Sequence, residues 1–175
     1  MKEQASKSLV RPSLEYACFV WDPYLQQDID AIERVQRRAA RFVTNKYCNT
    51  SSVGSMLQHL EWRSLQDRRK DSRLNMFYKI VNNKVEIQKT DRLIPQKMQT
   101  RHSHTKSFQI PSCKTEYRKE SFFPRTITDW NKLQENIINS TSLDSFKSSI
   151  SILTVLILNN LLVYTFLLLF CSSCH

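Results

Sequence analysis

The chain predicts a mainly α-helical fold, a small helical domain, and three observations lead there. Gly54 is the only glycine in 175 residues, whereas the tight turns of β-hairpins need residues at positive φ. Apolar residues recur at helical spacing over long stretches. Serines stand where helix N-caps are expected. Ser64-Leu65-Gln66-Asp67 reads as a variant capping box, with the serine oxygen accepting from the backbone and the carboxylate at the positive helix end. A chain of this length has room for one modest core.

A first helix is expected over residues 6–21, with Pro12 tolerated only near a first turn or else marking a kink or break. Pro23 disfavours helical geometry at Asp22 and so ends it. The second helix, over residues 26–46, is the clearest. At about 100° per residue, Ile32, Val35, Ala39, Phe42 and Val43 gather on one side and Arg34, Arg37, Arg38 and Arg41 on the other. A short helix over 52–60 leads to Trp62, and Ser64 then opens a long helix to about residue 82. On that helix Leu65, Leu74, Met76, Phe77, Ile80 and Val81 form an apolar arc. Arg69 and Arg73 fall inside the arc, where they must snorkel, face a ligand or, the favoured reading, find carboxylate partners.

From 83 to 120 the periodicity fails. This stretch reads as a linker carrying a short β-hairpin, with 107–110 against 115–117. Pro124 suits the first turn of a helix whose Ile127, Trp130 and Leu133 return to the core, and Ser142 caps another with Leu143 and Phe146 inward. Trp21, Trp62 and Trp130 are expected as core anchors. The organisation expected is a helical region at 1–86 with the basic helix, a linker at 87–120, a C-terminal helical segment at 121–150 and an apolar tail at 151–175.

All 26 Lys+Arg and all 16 Asp+Glu precede Ser151, so the formal charge of +10 belongs to the first 150 residues. Such a body attracts polyanions, through release of counterions from phosphates, or is merely kept soluble by its charge. The uncharged run from Ile150 to Phe170 is 21 residues long, enough to cross a bilayer as a helix, with Asn159 and Asn160 costly at its centre. Five widely spaced cysteines and no cleavable leader point to a reducing compartment. Cys171-Ser172-Ser173-Cys174-His175 has the letters of a haem-attachment motif, but nothing follows to wrap a porphyrin, so no cofactor is expected.

No phosphate loop, dinucleotide fingerprint or HExxH pair occurs. His102 and His104 read as solvated loop residues rather than metal ligands, since no cysteine or carboxylate completes a site in sequence. No catalytic residues, metal site or small-molecule substrate are expected. The strongest binding signal is the stripe Arg34, Arg37, Arg38 and Arg41, at i, i+3, i+4 and i+7. It suits contact with successive phosphates and cannot read bases that way. Arg68 and Lys70 could extend the basic surface. The plainer reading of the stripe is a solvated face bridged to Asp30 or Glu33.

Five segments in order carry a resemblance: LVRPSLEYACFVWDPYLQQDIDAIERVQRRAARFV at 9–43, LEWRSLQDRRKDSRLNMFYKI at 60–80, RHSHTKSFQIP at 101–111, SFFPRTITDWNKL at 121–133 and SLDSFKSSI at 142–150. Together they resemble the thumb and following region of reverse transcriptases from non-LTR, jockey-like retrotransposons. The polymerase palm of that family needs paired aspartates for two metal ions, and no two consecutive aspartates occur here. The resemblance therefore implies a non-catalytic fragment of an RNA-directed DNA polymerase, intracellular in the cytoplasm or nucleus, gripping the backbone of RNA or an RNA–DNA hybrid. Two alternatives accompany it. One is a tail-anchored membrane protein inserted through Ile150 to Phe170. The other is a decayed element without selected function, in which the tail, beyond the family pattern, is read-through.

Overall fold

The computed structural model describes residues 1–48, 51–87, 93–96 and 104–153. These are mainly helical, and no strand forms among them. The chain opens with α1 (Lys2–Ala5), a π-helical turn (Ser6–Val10) and α2 (Arg11–Glu15) in direct succession. The Arg11 N–H donates to the Ser6 carbonyl, five residues back. Pro12 has no N–H and its ring crowds the carbonyl four residues earlier, a conflict that the wider turn absorbs. The break comes instead at Ala17, in the left-handed region at φ 47°, before α3 (Cys18–Trp21). Asp22, at ψ 111°, is extended as its neighbour Pro23 demands.

Helix α4 (Gln26–Thr44) ends at Asn45, whose φ of 57° is tolerated by asparagine. Helix α5 (Val53–His59) starts at Ser52, whose side chain accepts from the Ser55 N–H. Helix α6 (Leu65–Val81) starts with the expected box: Ser64 Oγ accepts from the Asp67 N–H at 3.0 Å and donates to Asp67 Oδ2 at 2.6 Å. Then come α7 (Glu116–Lys119), α8 (Phe122–Trp130), α9 (Glu135–Ile138) and α10, residues 143–153.

Several expectations are corrected. On α4 the buried residues are Ile29, Gln36 and Ala40, whereas Val35 is 38 % and Phe42 47 % exposed. A glutamine can occupy the buried side because its amide donates to the Arg63 carbonyl at 3.0 Å. Trp21 is 41 % exposed, its ring N–H donating to the Tyr16 carbonyl, whereas Trp130 is fully buried. The β-pair does not form as expected. Phe108 makes an isolated antiparallel bridge with Pro95, while Thr115 caps α7 by accepting from the Arg118 N–H. That local cap takes Glu116 and Tyr117 into a helix.

The main core gathers Leu74, Phe77 and Tyr78 from α6 with Ile127, Trp130, Leu133, Ile137, Ile138, Phe146 and Ile150. Tyr78 stacks on Phe146 at 4.3 Å and its hydroxyl donates to the Ser140 carbonyl at 2.7 Å. The regions on either side of the linker thus share one core. Ile150 belongs to it, Leu153 packs against it, and Ser151 Oγ accepts from Arg63 at 2.9 Å. The first residues of the apolar run are therefore part of α10, and the rest of the run lies outside the described residues. Among the described residues, no helix is long and apolar enough to cross a membrane.

His104, expected in solvent, is buried; His102 lies outside the described residues. The His104 ring meets Trp130 edge-on and its Nε2 lies 3.2 Å from the Trp130 carbonyl, while the Trp130 ring N–H donates to the Lys106 carbonyl. Burial lowers the His104 pKa below the ordinary 6.5, against the opposing pulls of the Trp130 carbonyl and Glu135. A histidine with a depressed folded pKa binds its proton more readily in the unfolded chain. Its effect is absent above the unfolded value, and stability is lost as the pH falls below it. His104→Gln is therefore expected to shrink the drop in urea midpoint between pH 7.5 and 5.5. An identical drop in both proteins would refute this.

Candidate functional site

Among the described residues the arginines fall into two classes, apart from the exposed Arg118. In the first, every guanidinium has a carboxylate. Arg63 pairs with Asp71 at 2.8 Å and Arg68 with Glu15. Asp22 receives Arg69 at 2.9 Å, Arg73 at 2.9 Å and Arg125 at 3.3 Å. Arg73 also reaches Asp129 at 3.2 Å, and Arg125 reaches Glu120 at 3.4 Å. The side chains of Arg69 and Arg73 are 0 % and 4 % exposed. Burial, then Arg125, pull the Arg73 pKa down while Asp22 and Asp129 hold it up; arginine stays charged in either case. This is the carboxylate pairing expected of arginines inside an apolar arc, and it fastens the α3–α4 corner to α6 and α8.

The second class is the α4 stripe. Arg34, Arg37 and Arg38 are exposed and Arg41 is half-buried. None of the four forms an ion pair with a carboxylate among the described residues. The nearby carboxylates are engaged elsewhere: Asp30 accepts from the Gln26 amide at 3.0 Å, and Glu33 accepts from the Gln66 N–H at 3.0 Å. Only the Arg34 Nε makes a long hydrogen bond, 3.4 Å, to the Asp30 carbonyl. The Nε of Arg41 is buried without a partner. The four arginines line an open groove of about 550 Å³ whose other wall is Val53, Gly54 and Leu57 of α5.

Arg68 and Lys70 do not join this groove. Arg68 is held by Glu15 and lines a small cleft beside the π-helical turn and α2, with Lys7, Arg11 and Leu14. Lys70 lies 3.5 Å from Asp129 in a separate groove with Arg73, Lys119 and Arg125. Sequence reasoning missed the α5 wall, although the isolated glycine was a signal for it. It also missed Arg125 and Asp129 as members of the Asp22 cluster. Among the described residues no group of histidine, cysteine and carboxylate side chains could hold a metal ion. The arrangement can hold an extended anion by charge, and the side chains lining the groove are arginine, valine and leucine. No family model, no curated protein and no solved structure matches the chain.

Proposed function

We propose that the chain binds the phosphate backbone of a nucleic acid through the α4 groove and does no chemistry of its own. One observation carries this reading: the four arginines of the stripe lack carboxylate partners, whereas among the described residues the buried and half-buried arginines outside the stripe have them. Unpaired guanidinium groups on one helix side are free to make bidentate contacts with phosphate. The sequence resemblance to the thumb region of non-LTR retrotransposon reverse transcriptases suggests RNA or an RNA–DNA hybrid as the polyanion. In an intact parent the segment would then hold the template behind the catalytic palm.

From Arg34 to Arg41 the helix rises about 10 Å, room for about three phosphates of a strand rising 3.4 Å per nucleotide. Three neutralised phosphates on a single strand give a slope of log K against log salt near −2. Titrating a labelled oligouridylate by fluorescence anisotropy between 50 and 200 mM salt should therefore weaken binding roughly fifteenfold. Affinity independent of salt, or no binding at the lowest salt, would exclude the proposal.

A further inference from the structure

The single glycine bears on what enters the groove. Gly54 lies in the first turn of α5, where its φ is not in the left-handed region. A Cβ placed there would meet only Ser52 Oγ, at 3.6 Å, an ordinary contact. Neither backbone geometry nor packing thus calls for glycine, which is the poorest helix former after proline. Gly54 does leave a gap in the groove wall between Val53 and Leu57, across from the four arginines.

That groove has two unlike walls. The α4 wall is cationic and the α5 wall apolar, and the lining contains neither an aromatic ring nor a carboxylate. A base-stacking site would need aromatic rings. Phosphates suit the arginines, and the less polar sugar face suits Val53 and Leu57. Helices α4 and α5 pack directly on one another, and packed helices run about 8–10 Å apart. A cleft on that scale takes one sugar–phosphate backbone and not two, since the backbones bordering a duplex's major groove stand about 12 Å apart.

Building on the proposed backbone binding and narrowing its polyanion from RNA or a hybrid to a single strand, we infer that the groove takes one sugar–phosphate strand, phosphates on the arginine wall and sugars on the α5 wall, passing closest to the protein at Gly54. The bases then face away, and binding is indifferent to sequence. Gly54 sets the occupant's width, while the arginines supply the attraction.

The test uses the full chain and a labelled oligouridylate, with Gly54→Ala, Gly54→Leu and the charge variant Arg37→Glu/Arg38→Glu side by side. Gly54→Ala should melt at or above the parent's temperature, because alanine favours the helix, and yet bind more weakly. Gly54→Leu should lose roughly tenfold or more in affinity, as expected for overfilling a fitted contact. An unlabelled duplex of the same length should compete far less well than the single strand. If Gly54→Leu binds like the parent while the charge variant does not, the inference falls and backbone binding stands. If both bind like the parent, backbone binding falls as well. Equal competition by the duplex would overturn the assignment to a single strand.

Discussion

Asp22→Asn is expected to cost about 3–5 kcal/mol, the range for removing one partner of a buried ion pair. That is a large share of the roughly 5–15 kcal/mol that holds an ordinary domain together. The side chain keeps its shape, so the loss measures charge and not volume. Arg73 would retain Asp129 and Arg125 would retain Glu120. Arg69, with a fully buried side chain, would keep no ion pair with a carboxylate among the described residues. Its Nη1 and Nη2 already lack hydrogen-bond partners, so a buried cation would be left with only the more distant Glu15 to offset its charge. Urea unfolding should show the midpoint falling with little change in slope. A loss below about 1 kcal/mol would mean that the cluster behaves like a surface pair. Asp22→Leu combined with Arg69→Met should recover much of the loss, because a packed apolar pair avoids the desolvation that the ions suffer.

Reversing Arg34, Arg37 and Arg38 together to glutamate is expected to weaken oligonucleotide binding roughly a hundredfold at 50 mM salt and to flatten the salt slope toward zero. The melting temperature should barely move, since these side chains form no ion pairs with carboxylates among the described residues and stand in solvent. Arg41 is left out because its buried Nε could couple binding to stability. The control is Lys114→Glu, Lys132→Glu and Lys147→Glu, three exposed lysines whose reversal changes net charge by the same amount. Net charge alone would make the two triple variants equal. A localised site makes only the arginine variant fail.

The parts of this fold legible in the sequence are those decided within a few residues. The Ser64 box and the Ser142 cap announce α6 and α10 because each cap is closed by an N–H three residues on. Arg69 and Arg73 could be read as buried, for they interrupt an apolar arc. Their carboxylates could not be named, because Asp22 lies 47 residues before Arg69 and Asp129 lies 56 after Arg73. The buried side of α4 was misjudged for a similar reason. Phe42 and Val35 are more apolar than Gln36, but the Arg63 carbonyl sits where Gln36 can reach it. His104 looks solvated among polar neighbours, and only the ring and carbonyl of Trp130, 26 residues on, bury it. In the groove, the arginine spacing was visible and its α5 wall was not. Arg68 and Lys70, which could extend the basic surface, line other clefts of the molecule.

The sharing of α6 between the two halves of the core governs the order in which the molecule can assemble. Tyr78 meets its Ser140 partner across 62 residues, and Arg63 meets Ser151 across 88. While the chain is being synthesised, Leu74, Phe77 and Tyr78 must therefore wait without cover until α8, α9 and α10 have emerged. Closing loops of that length slows the search for the native contacts. An apolar helix face held open meanwhile is a target for chaperones and for other copies of itself. The α6 part of the core therefore closes only once residues 127–150 are available to it. A product ending in the linker near residue 86 would carry the arginine groove on a body unable to close its core.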